Sequence, residues 1–377
     1  MTLQPGLYLD LPEDVYFHQD SLGSSDLKKL LRAPADWWYS SRHNPDREQA
    51  DDSNARILGR ALHALMLEGV QAYEARFAVE PDPRDYPGIC KTTDEIKAML
   101  KQCDIHVPSK GVKSDYVQIA VDNRLGNRVW DHLIRHHVQD VEVFGKTPIK
   151  AAQDRALRSM ADIVENEPSV AGGLQSGIPE VSVFFERESH PGLLFRARFD
   201  SLSPNMTMDL KTLSNWKNRT VADMARRQIE EFEYDIQRRF YDEAREAARQ
   251  FITQDKVFLC GHGPDGRSID FLEGLDVLEP RIAKTLRQIA DTDLWVWVWL
   301  FYQMRDDKAG KAPVCVPRFH LPEGEVWDEA GKKIDRALEH YQDFMSRFGP
   351  DNPWCHIEPA LELEDADLAG LQYKTVL

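Results

Sequence analysis

The chain has 377 residues, 42% of them hydrophobic and 29% charged, the profile of an ordinary globular protein with room for one elaborate domain or two or three small ones. No run approaches 18 apolar residues and no basic-then-apolar leader is read at the start, so neither a membrane span nor a secretory signal is expected and a cytoplasmic protein is. The net charge of −16 argues against a polyanionic partner unless a local basic groove or bound divalent ions reverse the field, and five scattered cysteines with no C-x-x-C pair exclude a disulfide framework, structural zinc and an iron–sulfur cluster.

In chain order, "SLGSSDLKKLLRAPADWWYSSR" predicts a helix with Ser24 or Ser25 as N-cap and an end near the Ala33–Pro34 step. "SNARILGRALHALMLEG" predicts a second, with Ile57, Ala61 and Leu65 in helical period, His63 in its middle and Gly69 as C-cap. Residues 81–92 are rich in Pro, Gly and Asp and predict a linker. Two short helical patterns joined by an extended link follow, similar to a helix–extended–helix module of the SAP type. Helical periodicity continues through "NRVWDHLIRHHVQ" and again from Thr147 as N-cap, with Pro148 at N1, to about Glu165.

From residue 178 the period falls from 3.6 to 2. "PEVSVFFERE", "LLFRARFDSL" and "MTMDLKTL" predict three consecutive antiparallel strands. One long helix is predicted from Val221 to Phe251, then a mixed stretch over 255–292 with no assigned role. Two strands ("LWVWVWLFYQM", "APVCVPRFHL"), a final helix from Glu325 to Gly349 and a polar tail complete the chain.

The chemistry concentrates in "FRARFDSLSPNMTMDLKTL". Alternation puts Arg196, Arg198 and Asp200 on one face of their strand, and Thr207, Asp209 and Lys211 on the face of theirs opposite Met206, Met208 and Leu210. In a hairpin Asp200 and Asp209 can then converge with Lys211 beside them. Two close carboxylates repel unless a divalent cation holds both ionised. The spacing alone does not separate such a centre from two charged outer strand faces. Nearby, Glu180 opens the first strand, and Tyr234, Gln237 and Tyr241 share one face of the following helix. His63, taken alone, reads first as a core histidine on an apolar helix.

Five ordered stretches together resemble the PDDEXK nuclease superfamily, and most closely its RecE-like phage and prophage exonucleases of the exodeoxyribonuclease VIII type. They are the Ser-containing helix with its downstream proline, the G-x-x-x-H-x-x-x-L-E segment around His63, the glutamate strand, the R-x-R-x-D and D-x-K strands, and the Y-x-x-Q-x-x-x-Y helix. The lysine motif is D-x-K where E-x-K is commoner. The resemblance implies an α/β fold with a restriction-endonuclease-like core: a mixed central sheet flanked by helices. It would form a single domain over 1–377, with an inserted helical module at 92–140 and a further insertion at 255–292. It implies that His63, Asp200 and Asp209 ligate Mg²⁺, for which Mn²⁺ can substitute, with two ions per site and the Leu210 carbonyl as an extra ligand. Lys211 would be the catalytic lysine and Glu180 a carboxylate of the outer shell or second ion. Gln237 and Tyr241 would steady the site and the DNA backbone, with Tyr234 also at the DNA. Arg196 and Arg198 would reach a phosphate or pair with the acids. Ser24 and Ser25 would hold a 5′-phosphate at a helix N-terminus or simply cap it.

The implied activity is ATP-independent 5′→3′ digestion of linear double-stranded DNA, leaving 3′ overhangs for phage-type recombination. The implied partners are DNA ends, further copies in a cyclic trimer or tetramer, and a RecT-type single-strand annealing protein, in a bacterial host cell. Two rivals stand beside it: a structure-specific or nicking endonuclease on the same core, and a catalytically silent DNA-binding or anti-host protein.

Overall fold

The computed structural model describes residues 3–47, 53–213, 219–262, 269–303, 314–320 and 324–355. The chain opens with strand β1 (Gly6–Leu9), then helices α1 (Glu13–Phe17), α2 (Ser24–Arg32), α3 (Pro34–Ser40), α4 (Asn54–His63) and α5 (Val70–Arg76). A short strand, β2 (Phe77–Val79), leads to α6 (Thr93–Gln102), α7 (Lys113–Asp122) and α8 (Trp130–Glu142); α6 and α7 share a small core around Ile96, Leu100 and Tyr116, joined by Val129 just ahead of α8. Next come β3 (Thr147–Ile149), α9 (Ala151–Glu165) and α10 (Pro168–Ser176). Three long strands follow: β4 (Ile178–Arg187), β5 (His190–Leu202) and β6 (Met206–Leu213). Helices α11 (Val221–Glu231) and α12 (Tyr234–Thr253), strands β7 (Val257–His262) and β8 (Ile269–Glu273), α13 (Pro280–Asp291), β9 (Val296–Gln303), β10 (Val314–His320) and α14 (Glu325–Phe348) complete the described chain.

Eight strands form one mixed sheet in the order β10-β9-β6-β5-β4-β1-β7-β8, as the α/β expectation requires. The β1–β7 and β6–β9 pairs are parallel and the remaining pairs antiparallel. Helices cover both faces. On one, Val181, Val183, Phe195, Ala197 and Phe199 pack against α2, α12, α13 and α14; on the other, Met208, Leu210, Val298 and Leu300 pack against α4 and α9. Strand β9 reads VWVWLFYQ because it is covered on both sides: Trp297, Trp299 and Phe301 face α11 while Val298, Leu300 and Tyr302 face α9. In α12 the buried Ile236, Phe240, Ala244 and Ala248 recur every fourth residue, one apolar stripe against the sheet. Each fully buried aromatic such as Phe240 contributes about 1.5–3 kcal/mol of burial.

The structure corrects four local expectations. The cap of α2 is Gly23, whose N–H donates to the Asp26 carboxylate at 2.8 Å; Ser24 and Ser25 lie inside the first turn. Thr147 and Pro148 do not start a helix. They pair with Phe77 and Ala78 in a parallel ladder that buries Ile149, and α9 begins at Ala151 after Lys150. The helix expected over Val221–Phe251 is broken at Phe232–Glu233, with Glu233 in the left-handed region at φ 50°. Finally, β1, β2, β3, β7 and β8 went unpredicted; β7 and β8 are built from the stretch to which no role was assigned, and they extend the main sheet. Residues 304, 312, 313 and 321 of the two late strands, and the tail from 356, lie outside the described residues.

Candidate functional site

The hairpin of β5 and β6 is paired only at Ser201–Met208 and Leu202–Thr207, after which the strands part. Into that gap Asp200 turns its carboxylate, and Oδ2 accepts the Leu210 main-chain N–H at 2.6 Å in place of a strand partner. On the other flank, the β4–β5 ladder skips Glu180, which adopts φ 51°. A left-handed backbone at a non-glycine residue is costly and concentrates at functional positions. Both irregularities aim carboxylates toward α4.

His63 closes the cluster from above. It ends α4, and residues 64–68 continue as a π-helical turn, an arrangement that recurs at functional sites. Its Nδ1 lies 3.6 Å from Glu180 Oε1 and its Nε2 3.6 Å from Asp200 Oδ2. One ligand atom each from His63, Glu180 and Asp200 fall within 4.8 Å of one another, a metal-sized arrangement. Burial pulls the His63 imidazolium down, but Asp200 and Glu180 outweigh it and hold its pKa at about 9. Asp200 is raised above the ordinary carboxylate range, chiefly by burial.

Asp209 approaches from a different side. It faces α12, where Gln237 Nε2 donates to its Oδ1 at 2.8 Å and Lys211 Nζ lies 2.6 Å from its Oδ2. That ion pair apart, Oδ2 has no hydrogen-bond partner among the described residues. Burial raises the Asp209 carboxyl. For Lys211, burial opposes the charge, yet Asp209, Tyr234 and Asp200 dominate and keep it firmly protonated. The expectation that Asp200, Asp209 and Lys211 share one face is therefore corrected: Asp200 turns to α4 and Asp209 and Lys211 to α12. The early end of the ladder is what lets them meet.

Helix α12 fastens this hairpin with three side chains four residues apart. Gln237 holds Asp209, the Tyr241 hydroxyl donates to the Arg198 carbonyl at 3.0 Å, and the fully buried Arg245 donates to the Ser203 carbonyl at 2.9 Å, the Pro204 carbonyl at 2.5 Å and Thr207 Oγ1 at 3.0 Å. The turn between the two aspartate strands is thus fixed from below.

The other predicted site residues sort as follows. Arg196 donates to the Ser21 carbonyl and pairs with Asp26 at 2.8 Å; Arg198 donates to Ser182 Oγ at 2.9 Å and the Leu11 carbonyl at 2.8 Å. Both serve the scaffold and neither pairs with the acids of the site, although both line the groove beside it. The Tyr234 ring lies 4.9 Å from Lys211 Nζ and 5.0 Å from Lys28 Nζ, between two ammonium groups. Sequence reasoning missed Lys28. Nothing in "SSDLKK" links it to a tyrosine some two hundred residues on; only the packing of α2 against α12 does.

A groove of about 1280 Å³ runs from His63, Glu180, Asp200 and Tyr241 past Arg196 and Arg198 to Ser24, Ser25 and Lys29 on α2. Arg42, Arg60 and Arg76 also line it, as do the acidic Asp10, Glu13, Asp20, Asp26 and Glu68, so the groove mixes both signs of charge. No helix among the described residues is long and apolar enough to cross a membrane.

A mixed sheet flanked by helices, parting at a D…D-x-K hairpin beneath a histidine, defines a PDDEXK-like domain, the fold class of metal-dependent nucleases. The chain belongs to the family described as "PDDEXK-like domain of unknown function (DUF3799)", whose profile matches residues 23–254. Among curated proteins none matches.

Proposed function

We propose that the protein is a divalent-metal-dependent exodeoxyribonuclease of the RecE-like kind, digesting linear double-stranded DNA from 5′ ends without ATP and leaving 3′ overhangs for recombination. The observation that carries this reading is the convergence of His63, Glu180 and Asp200 within 4.8 Å, near the Asp209–Lys211 pair and at one end of a groove that also carries several arginines.

The donor set fits Mg²⁺ or Mn²⁺: two carboxylates with one imidazole suit a hard or borderline ion, and a second ion would draw on Asp209, now paired with Lys211, and on the Leu210 carbonyl. When bound, such an ion neutralises the crowded acids, polarises the phosphodiester and lowers the pKa of an attacking water. The protein's own groups do the rest. Lys211 stays charged throughout the working range and stabilises negative charge growing on the phosphate oxygens. Gln237 fixes the Asp209 rotamer, and Tyr241 and Arg245 fix the hairpin that carries it. Ser24 and Ser25, on the groove wall beside the N-terminus of α2, suit the phosphate of a DNA end. A cyclic trimer or tetramer lined by this groove would reconcile the acidic chain with a polyanionic substrate, and a RecT-type annealing protein would receive the 3′ strand, inside a bacterial host cell.

The test is digestion of duplex labelled at 5′ or 3′ ends, beside covalently closed circles, with Mg²⁺, Mn²⁺ or EDTA. Release from 5′ ends with circles spared, lost in EDTA and in Lys211→Ala, is the expected result. Cutting of circles would assign an endonuclease instead, and binding without cleavage under any metal would make the protein a DNA binder.

A further inference from the structure

Helices α11 and α12 meet at a kink that the structure holds in three places. Lys28 Nζ donates to the Phe232 carbonyl at 2.7 Å, Arg32 Nη2 donates to the Glu231 carbonyl at 3.2 Å, and Arg32 pairs with the Glu233 carboxylate at 2.7 Å. Glu233 itself sits in the left-handed region, which a glutamate adopts only where its surroundings impose it. A continuous helix would need neither the strain nor the anchors. What the kink accomplishes is to present Phe232 outward: the residue is 46% exposed, and its ring stacks on Tyr234 at 5.9 Å between centroids with planes 24° apart. Tyr234 in turn lies 4.9 Å from Lys211 Nζ.

An isolated exposed phenylalanine needs no explanation. This one stacks on Tyr234, and the Tyr234 ring in turn lies between the ammonium groups of Lys211 and Lys28. Glu230, Glu231 and Glu233 flank Phe232 along the chain and the cations gather on its Tyr234 side, so a nucleobase on the exposed ring would lie with its phosphates toward Lys28 and Lys211.

We propose that Phe232 is a stacking platform for a nucleobase flanking the scissile phosphodiester, with α2 supplying through Lys28 and Arg32 the clamp that keeps it in place. The proposal deepens the nuclease reading above and rests on it. Because every base has a π face, the platform is indifferent to sequence, and its role is to seat the strand.

The test uses the full chain with duplexes carrying 2-aminopurine at successive positions from the end, in Ca²⁺ for binding and Mg²⁺ for cleavage. Phe232→Ala is expected to weaken binding about 5- to 100-fold, to abolish the fluorescence quench at one position near the end, and to raise KM with kcat little changed. Phe232→Trp and Phe232→Tyr should keep the quench and the wild-type KM, which an effect on folding alone would not produce. A Phe232→Ala protein with wild-type quench and KM overturns the platform while leaving the nuclease reading intact. If the wild type neither binds nor cleaves DNA, that reading has failed and the platform with it.

Discussion

Replacing Lys211 by methionine isolates the electrostatics of the site from its chemistry. The ammonium is the cation paired with Asp209, a residue 3% exposed, and Asp200 adds a second buried carboxylate nearby. Breaking a buried pair by removing one partner costs about 3–5 kcal/mol, because the remaining charge is left uncompensated. Lys211 keeps 18% of its side chain exposed and Gln237 still donates to Asp209, so the lower end, about 3 kcal/mol, is expected at pH 8 without metal. The pH dependence has a definite sign. Burial already holds the folded Asp209 carboxyl above its ordinary value, and loss of Lys211 raises it further. The penalty is therefore full above that raised value and shrinks as pH falls through it, because the folded variant then takes up a proton. Urea denaturation followed by tryptophan fluorescence at pH 8 and pH 5.5 measures both. A loss under about 1 kcal/mol at pH 8, or one that grows on acidification, would refute the account of a buried, mutually dependent pair.

Other consequences are equally direct. Gln237→Leu removes the donor to Asp209 Oδ1 and should cost about 1.5–3 kcal/mol, a loss that largely disappears in an Asp209→Ala background, which lacks the acceptor, when measured as a double-mutant cycle. Since His63 holds a proton up to about pH 9, a metal ion binding there at pH 7 must displace it, so affinity should rise with pH; calorimetry in buffers of different ionisation enthalpy should show a released proton that His63→Ala no longer gives. At Glu233 a β-branched residue is strained where alanine is tolerated, so Glu233→Val should lower stability by about 1–2 kcal/mol more than Glu233→Ala in thermal melts. Arg245→Met frees four acceptors at the β5–β6 turn, the Met206 carbonyl among them, and faster amide exchange across Met206–Leu210 should report it.

Much of this architecture was legible in the residues because local patterns there agree with the tertiary result. The period-2 runs gave β4, β5 and β6, Gly69 ended its helical segment, and the ordered motifs gave the fold class. The elements that escaped prediction depend on partners far away in the chain. Strand β1 is four residues long and makes sense only between β4 and β7. Thr147–Pro148 carries a strong helix-start signal that pairing with β2 overrides. At the site, alternation correctly grouped Arg198 with Asp200 and Asp209 with Lys211, yet it assumed an unbroken hairpin. The parting of β5 from β6 and the left-handed Glu180 leave no mark on a polar–apolar pattern, so neither the different approaches of the two aspartates nor the closeness of Glu180 to His63 was visible. Lys28 was invisible for the same reason.

The two-rung pairing of β5 and β6 also bears on how this protein would respond to selection for robustness. Valine at position 200 would let the two strands go on pairing, bury no charge and suit a sheet interior better than the native aspartate. Asp200→Val is accordingly expected to melt at a higher temperature than the native protein and to cleave nothing. A library ranked by heat resistance alone would drift toward such closed, inert sheets, whereas one ranked by turnover would retain the opening and tolerate its cost.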